Sequence, residues 1–229
     1  MLLCSRLPIN ILNPSKYEFT NNWFEHGAKI HFDLIFDKLA KPKTILEIGS
    51  FEGQSTCYFI EKISEFNQAP EIFCIDTWEG GQEHKQGKIN YTEMNQAEYR
   101  FKKNIQHAID RVKNKATVTA KKCESCAALS QLIVDKKSEY FDLVYIDASH
   151  DAADVLQDAI LSFRLLKVGG IIVFDDYLWG TWGSRSNSQN NIMRCPKMGI
   201  DSFVNCFYEK IQVDPNFFAH QIVAKKITN

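Results

Sequence analysis

The chain carries almost no net charge: 27 Lys and Arg stand against 28 Asp and Glu in 229 residues, a formal net charge of -1. No global field then draws it to nucleic acid or to an anionic membrane. Basic runs such as KKNIQHAIDRVKNK read as the wet face of a helix. Long apolar runs are missing too, and nothing approaches the roughly 20 residues that a membrane helix needs. The start, MLLCSRLPIN, has no basic leader and is interrupted by Arg6 and Pro8, so no signal peptide is read. Internal repeats and low-complexity tracts are absent. The seven cysteines are odd in number and irregular in spacing, which argues against a disulfide framework and for a reducing compartment. CESC has no second pair for zinc and no redox fold around it, so Cys123 and Cys126 read as packing residues. These absences predict a soluble cytoplasmic protein without a nucleic-acid or membrane partner.

What is present is an alternation. KTILEIG, EIFCID, ATVTAKK, YFDLVYID and GGIIVFDD read as strands, and IQVD and HQIVAKKI as two more near the end. Helical patterns separate the first five: QSTCYFIEKISEF, QAEYRFKKNIQHAIDRV, SCAALSQLIVDKK and AADVLQDAILSFRLLK, with GIDSFVNCFYEK following the fifth strand. Strands that are apolar throughout and joined by helices mean a parallel sheet covered on both faces. The fold class expected is a doubly wound α/β sandwich, a mostly parallel seven-stranded sheet with helices on both faces. The glycine pair of GGIIVFDD is expected to end the preceding helix. Residues 1–40 read as an N-terminal helical extension, with an amphipathic helix near KIHFDLIFDKLA, and residues 41–229 as the main domain. An oversized connection at 77–115 and a polar loop at 180–195, a candidate lid, interrupt the rhythm.

In such sheets ligands bind beyond the carboxyl ends of the strands, and the sequence places its chemistry there. ILEIGSFEGQST is a strand, a glycine turn through Gly49 and Gly53, and a helix start. G-x-G-x-x-G is not met, Glu52 would repel a pyrophosphate, and no Gly-Lys-Ser/Thr closes a Walker A loop. Asp76 ends the next strand, about 25 residues on, where an acid can take both ribose hydroxyls. Asp147 ends the fourth strand, and Asp175 and Asp176 end the fifth. Three carboxylates at one rim repel unless a cation joins them, and oxygen ligands suit Mg²⁺. His150 stands before a helix whose N-terminus disfavours imidazolium, a setting for a neutral general base. Tyr177, Trp179 and Trp182, with Trp78, Tyr91 and Tyr99, are candidates to wall an acceptor.

Taken in order, LEIGSFEGQST, CIDTWEGG, CES, YIDASH, GGIIVFDDY and QIVAKK resemble class I S-adenosylmethionine-dependent methyltransferases. The nearer likeness is to small-molecule O-methyltransferases of the macrocin and mycinamicin type and to cephalosporin-biosynthesis relatives. The resemblance implies a Rossmann-like methyltransferase fold, with the last strand antiparallel. It implies that Glu47, Gly49, Ser50 and Gly53 hold the methionine part of S-adenosylmethionine, and that Asp76 binds its ribose. Thr77 and Trp78 would lie by the adenosine, and Glu124 and Ser125 by the adenine. It further implies Mg²⁺ on Asp147, Asp175 and Asp176, with His150 and Asp147 catalytic; Asp147 counts among the cofactor-binding residues as well. Two departures stand out: relatives often have Gly-Asp where this chain has Cys123 and Glu124, and Glu where it has Asp175.

The expectation is Mg²⁺-assisted methylation of a small-molecule hydroxyl, on a sugar or another polyhydroxylated acceptor, in a protein that forms homo-oligomers as relatives do. The competing readings are a metal-independent O- or N-methyltransferase of the same fold and a non-catalytic cofactor-binding partner protein. A nicotinamide dehydrogenase is disfavoured by Glu52 and the missing third glycine.

Overall fold

The computed structural model describes residues 5–6, 17–39, 41–81, 93–179, 195–217 and 220–229. The chain divides into two compact units, Met1–Ser125 and Cys126–Asn229.

In the first unit, β1 (Ser5–Arg6), β2 (Thr44–Ile48), β3 (Glu71–Asp76) and β4 (Thr117–Lys122) lie in the order β1-β4-β3-β2. β2, β3 and β4 are parallel, and β1 joins β4 antiparallel. The centre of the unit is continuous Ile, Leu, Phe and Cys, as parallel strands buried on both faces require. The register pairs Ile48 with Ile75 and Asp76 with Lys122, so the three parallel strands end together.

The helices of this unit are α1 (Trp23–His26), α2 (Lys29–Leu34) running into a π-helical turn at Ile35–Leu39, α3 (Gln54–Phe66) and α4 (Met94–Arg111). Asn67 closes α3, its side-chain amide donating to the Ile63 and Pro42 carbonyls and satisfying groups a helix end leaves open. The segment expected as an extension is core instead. Phe24, Phe32 and Phe36 are buried around Phe59 of α3, with ring centroids 4.9–6.2 Å away. Each such ring contributes roughly 1.5–3 kcal/mol by burial, enough to bind residues 23–36 to the unit.

The second unit opens with α5 (Ser125–Val134) and continues with β5 (Phe141–Ile146), α6 (Ala152–Leu165), β6 (Leu166–Phe174), α7 (Pro196–Cys206), β7 (Ile211–Val213) and β8 (Ile222–Lys226). Its strands lie in the order β5-β6-β8-β7, with β5 and β6 parallel and β8 antiparallel to both its neighbours. The seven strands expected from the sequence are all present, with β1 in addition, and the final strand is antiparallel. The glycine pair is a correction. Gly169 and Gly170 lie inside β6, which pairs from Leu166 onward across an irregularity between Phe141 and Leu143. The C-terminus of α6 is instead served by Lys226, whose buried ammonium donates to the Phe163 and Leu166 carbonyls at 2.9 Å.

α7 packs directly on α6, and Gly199 sets the distance. A Cβ there would meet the Ala152 carbonyl oxygen at 2.4 Å and the Leu156 nitrogen at 3.1 Å. Both are helix backbone and cannot rotate away. Gly199→Ala is therefore expected to destabilise by about 1–3 kcal/mol through overpacking. A thermal melt checks this, and an unchanged midpoint would show that the two helices separate without cost. Among the described residues, no helix is long and apolar enough to cross a membrane.

Candidate active-site residues

The carboxyl ends of β2, β3 and β4 assemble one group of candidates within the first unit. The turn after β2 runs Gly49-Ser50-Phe51-Glu52-Gly53 and is held from below and from the side. From below comes Glu47, fully buried, its oxygens accepting the hydroxyls of Ser50 at 2.8 Å, of Ser55 and of Thr56. Burial pushes its carboxyl above the usual range, and the three hydroxyl bonds oppose that shift. From the side comes Asp76, whose Oδ2 accepts the backbone N–H of Ser50 and of Phe51, each at 2.8 Å. Its Oδ1 accepts the Trp78 N–H at 2.6 Å. A carboxylate has about four acceptor sites, and three of those of Asp76 are taken by backbone N–H groups.

Gly53 takes φ +81°, and a Cβ there would sit 3.0 Å from Phe101 and 3.1 Å from Ile105 of α4. The positive φ and the close approach of α4 both favour glycine here. Phe51 and Trp78 also have positive φ, 44° and 51°, and the Trp78 indole N–H donates to the Phe51 carbonyl at 2.7 Å. Trp78 is 3% exposed and packs on Phe101, so it supports the turn from the core and does not wall an acceptor. Thr77 follows Asp76 and caps the Glu79 N–H. Glu124 is exposed and Ser125 half-buried. Both follow β4 beside Asp76, where the Cys123 N–H donates to the Asp76 carbonyl at 3.2 Å. Cys123 is disulfide-bonded and not the packing thiol expected, which weakens the cysteine count as an argument for a reducing compartment.

The carboxyl ends of β5 and β6 assemble the second group. Ile146 pairs with Phe174, and the Asp175 N–H continues the ladder to the Ile146 carbonyl, which brings Asp147 and Asp175 abreast. The phenol of Tyr145 joins them, donating within reach of Asp147 Oδ2 at 2.9 Å and of Asp175 Oδ2. β8 runs back antiparallel with Ile222 opposite Phe174, so Gln221 reaches Asp175 Oδ2 with its amide at 2.8 Å. Asp175 Oδ1 accepts the Asp176 N–H. Burial, and next the Asp176 charge, push the Asp175 carboxyl up. Burial, then the charges of Asp147 and Asp175, push the Tyr145 phenol up.

Asp176 is different. It takes a positive φ of 55°, and its Oδ2 lies 2.9 Å from His150 Nε2. A carboxylate only accepts, so Nε2 is the nitrogen that donates here, and Nδ1 is buried. Trp179 stacks on the imidazole at 4.0 Å between centroids and 23° between planes. The turn from Asp176 to Trp179 is closed by its own backbone bond at 2.8 Å, so one short segment supplies both the acid and the ring that hold His150. Tyr177 accepts from Lys197 and donates to Asp201, a neighbouring cluster on α7.

The expected Mg²⁺ triad fits this arrangement poorly. Both oxygens of Asp175 serve Tyr145, Gln221 and Asp176, beneath the rim. Among the described residues no group of three or more His, Cys, Asp or Glu side chains is placed to hold a metal ion. Tyr91 and Trp182, with residues 180–194 of the expected lid, lie outside the described residues; Tyr99 is exposed on α4. Three supporting residues escaped the sequence reading. Tyr145 carried a signal, since it lies two residues before Asp147 in a strand and so points to the same face. Glu52 and Gln221 carried none.

Comparison with known proteins places this architecture. The profile of the family described as "Methyltransferase domain" matches residues 46–177, more than half of the chain. "Probable caffeoyl-CoA O-methyltransferase 3" of Dictyostelium discoideum is 25% identical over 179 residues, covering 75% of this chain and 61% of that protein. A "Probable caffeoyl-CoA O-methyltransferase" of Arabidopsis thaliana is 34% identical over 101 residues, 41% of this chain and 39% of that one. The chain thus spans between about two-fifths and three-fifths of the length of these two relatives. The solved structure of an O-methyltransferase from Bacillus cereus, in complex with SAH, aligns with a TM-score of 0.56 at 15% identity. It covers 93% of this chain and 84% of that one, a likeness that shows the Rossmann-like methyltransferase fold. By the match over residues 46–177, the chain belongs to the methyltransferase domain family.

Proposed function

We propose that the chain is an S-adenosylmethionine-dependent O-methyltransferase that acts on a hydroxyl of a small molecule, with His150 as general base. The observation that carries this reading is the Asp176–His150–Trp179 arrangement, in which an acid fixes the tautomer and an aromatic ring fixes the plane of an imidazole at a strand end. Family membership and the names of the relatives support the reaction class.

The residues of the first unit fit the cofactor. The turn at Gly49–Gly53, with Ser50, takes the methionine end. Asp76 binds the ribose, with Thr77 beside it, and Glu124 and Ser125 flank the adenine. Glu47 acts one layer down, through Ser50. The bound cofactor supplies a methyl group on a sulfonium, which needs no activation by the protein. The acceptor does need it: its oxygen must lose a proton as it attacks. His150 takes that proton once the acceptor, on binding, reaches its Nδ1, which is buried in this structure, and Asp176 balances the imidazolium that results. Trp179 keeps the ring from rotating out of line, and positioning of this kind accounts for much of the rate in such transfers.

Asp147 and Asp176 remain rim carboxylates that a cation would favour, but Asp175 as placed is a support and not a ligand. No step is therefore routed through Mg²⁺. A sugar acceptor has no separate support from the residues described.

The test is calorimetric titration with S-adenosylhomocysteine, followed by release of this product from S-adenosylmethionine over a panel of catechol, sugar and phenol acceptors. Binding together with turnover on a hydroxyl acceptor is expected, and turnover is expected to survive chelation. Activity lost to EDTA and restored by Mg²⁺ would return the acids to a ligand role. Failure to bind S-adenosylhomocysteine would overturn the reading as a whole.

A further inference from the structure

Glu52 is an odd residue for a cofactor turn: an acid, 1% exposed, in the middle of a loop expected to meet a ligand carboxylate. Its partners explain where it goes. Arg100 of α4 contacts Oε1, the Thr20 hydroxyl donates to Oε1 at 2.8 Å, and the Thr20 N–H donates to Oε2 at 2.6 Å. The Glu52 carbonyl accepts the side-chain amide of Asn104 at 2.9 Å. The same amide also donates to the Glu18 carbonyl at 3.0 Å, while Asn104 Oδ1 accepts the Glu18 N–H at 2.8 Å.

The chain before α1 therefore runs along the turn as a strap. It is fastened at Glu18 to Asn104, at Thr20 to Glu52, and at Asn22 to Gln54, with the Trp23 ring on Phe51 at 5.4 Å. The Glu18, Thr20 and Trp23 contacts end on the turn or on α4, while Asn22 and Tyr17 reach α3, at Gln54 and, 2.7 Å from the Tyr17 hydroxyl, at Glu61. Asp76 fixes residues 50 and 51 from one side, and the strap fixes residue 52 from the other.

We propose that residues 17–23 form a clasp on the cofactor turn and that Glu52 is the positioning residue through which clasp seating and cofactor binding are linked. The proposal rests on the cofactor reading above and extends it to a segment outside the expected binding residues. The physical reason is a buried carboxylate shared among three pieces of chain. With the clasp seated, both Glu52 oxygens have donors and the turn has one path. With the clasp lifted, the two Thr20 bonds are lost, and residues 50–53 must rearrange to give the carboxylate water. A ligand that needs the ordered turn then favours the seated clasp, and by linkage the seated clasp favours the ligand to the same extent.

The test uses the full chain and S-adenosylhomocysteine. Amide exchange over residues 17–23 is measured with and without the ligand, and its Kd is measured for the parent, Thr20→Val, Thr20→Ser and Glu52→Gln. The expected result is slowed exchange on binding, with Kd weakened about tenfold in Thr20→Val and Glu52→Gln. Thr20→Ser, which keeps the hydroxyl, is expected to bind like the parent. Thr20→Val removes the hydroxyl donor and keeps the backbone bond, so it should fold with a modest loss of melting temperature and remains informative if Glu52→Gln does not fold. Faster exchange in Thr20→Val with an unchanged Kd would reduce the clasp to a structural tie and overturn the proposal. Unchanged exchange on ligand binding would do the same. If the parent does not bind the ligand at all, the cofactor reading falls first and the link falls with it; the two failures are told apart by the parent titration.

Discussion

His150→Ala is expected to lower kcat for methyl transfer by about 10²–10⁴-fold, the usual worth of a positioned general base, while leaving the affinity for S-adenosylhomocysteine unchanged. The split follows from where the residue sits. His150 lies between β5 and α6 in the second unit, and the turn and Asp76 proposed to hold the cofactor lie in the first. Its ring is held by Asp176 and Trp179, neither of which holds the turn at Gly49–Gly53. Asp176→Asn should fall between the variant and the parent, because the amide can satisfy either tautomer and only one of them leaves a basic nitrogen free for the acceptor. Product release assays on the acceptor found in the panel, paired with calorimetry, measure both quantities. An alanine variant that kept more than about a tenth of the parent kcat would take His150 out of the reaction.

The second large effect is on stability. Glu47→Ala leaves a cavity and removes the acceptor of three hydroxyls, of which Thr56 is fully buried and Ser50 and Ser55 are 3% and 7% exposed. Lost bonds and lost packing together are expected to cost about 3–4 kcal/mol. At about 2–4 °C per kcal/mol for a chain of this size, the melting temperature should fall by about 6–16 °C. Glu47→Gln should behave oppositely. The hydroxyls can rotate to bond an amide, and a charge is no longer held without water.

The pH dependence separates the two explanations. The folded pKa of Glu47 is raised above its ordinary value of 4.5 by burial. The unfolded chain therefore releases this proton first as pH rises. Whatever stability the protonated residue contributes is fully present below 4.5 and is lost as pH climbs through the raised folded value. Glutamine does not titrate, so the glutamine variant should gain on the parent across that window and hold its advantage above it. Denaturant melts of both proteins from pH 4 to 8 measure the gap. A gap that shrinks with rising pH would mean that the three hydroxyls outweigh desolvation.

Both predictions turn on residues that the sequence displayed without revealing their partners. Period and composition were enough for the elements: EIFCID and QSTCYFIEKISEF are β3 and α3 to the residue. They were enough as well for the parallel core, because strands buried on both faces have no polar alternation to disguise them, while the antiparallel last strand followed from the family resemblance. They were not enough for β1, two residues that earn a place only by lying beside β4. Nor did the helical periodicity of KIHFDLIFDKLA reveal its π-helical turn, which packing against α3 sets.

The candidate site divides along the same line. Linear sequence by itself determined which acids and which imidazole stand at strand ends, since strand order and strand length alone put Asp76, Asp147, Asp175, Asp176 and His150 there. Only the tertiary structure decided what each does with its side chain. Asp175 and Asp176 are adjacent, yet one turns under the rim to Tyr145 and Gln221 and the other turns out to His150. Glu52 reads as a charge that repels phosphate until Thr20 and Arg100 are seen to consume it. The reason is physical: a carboxylate's role depends on which donors reach it. Tyr145, Gln221 and Thr20 are brought there by strand register and by a strap 32 residues away, distances along the chain at which no local pattern survives.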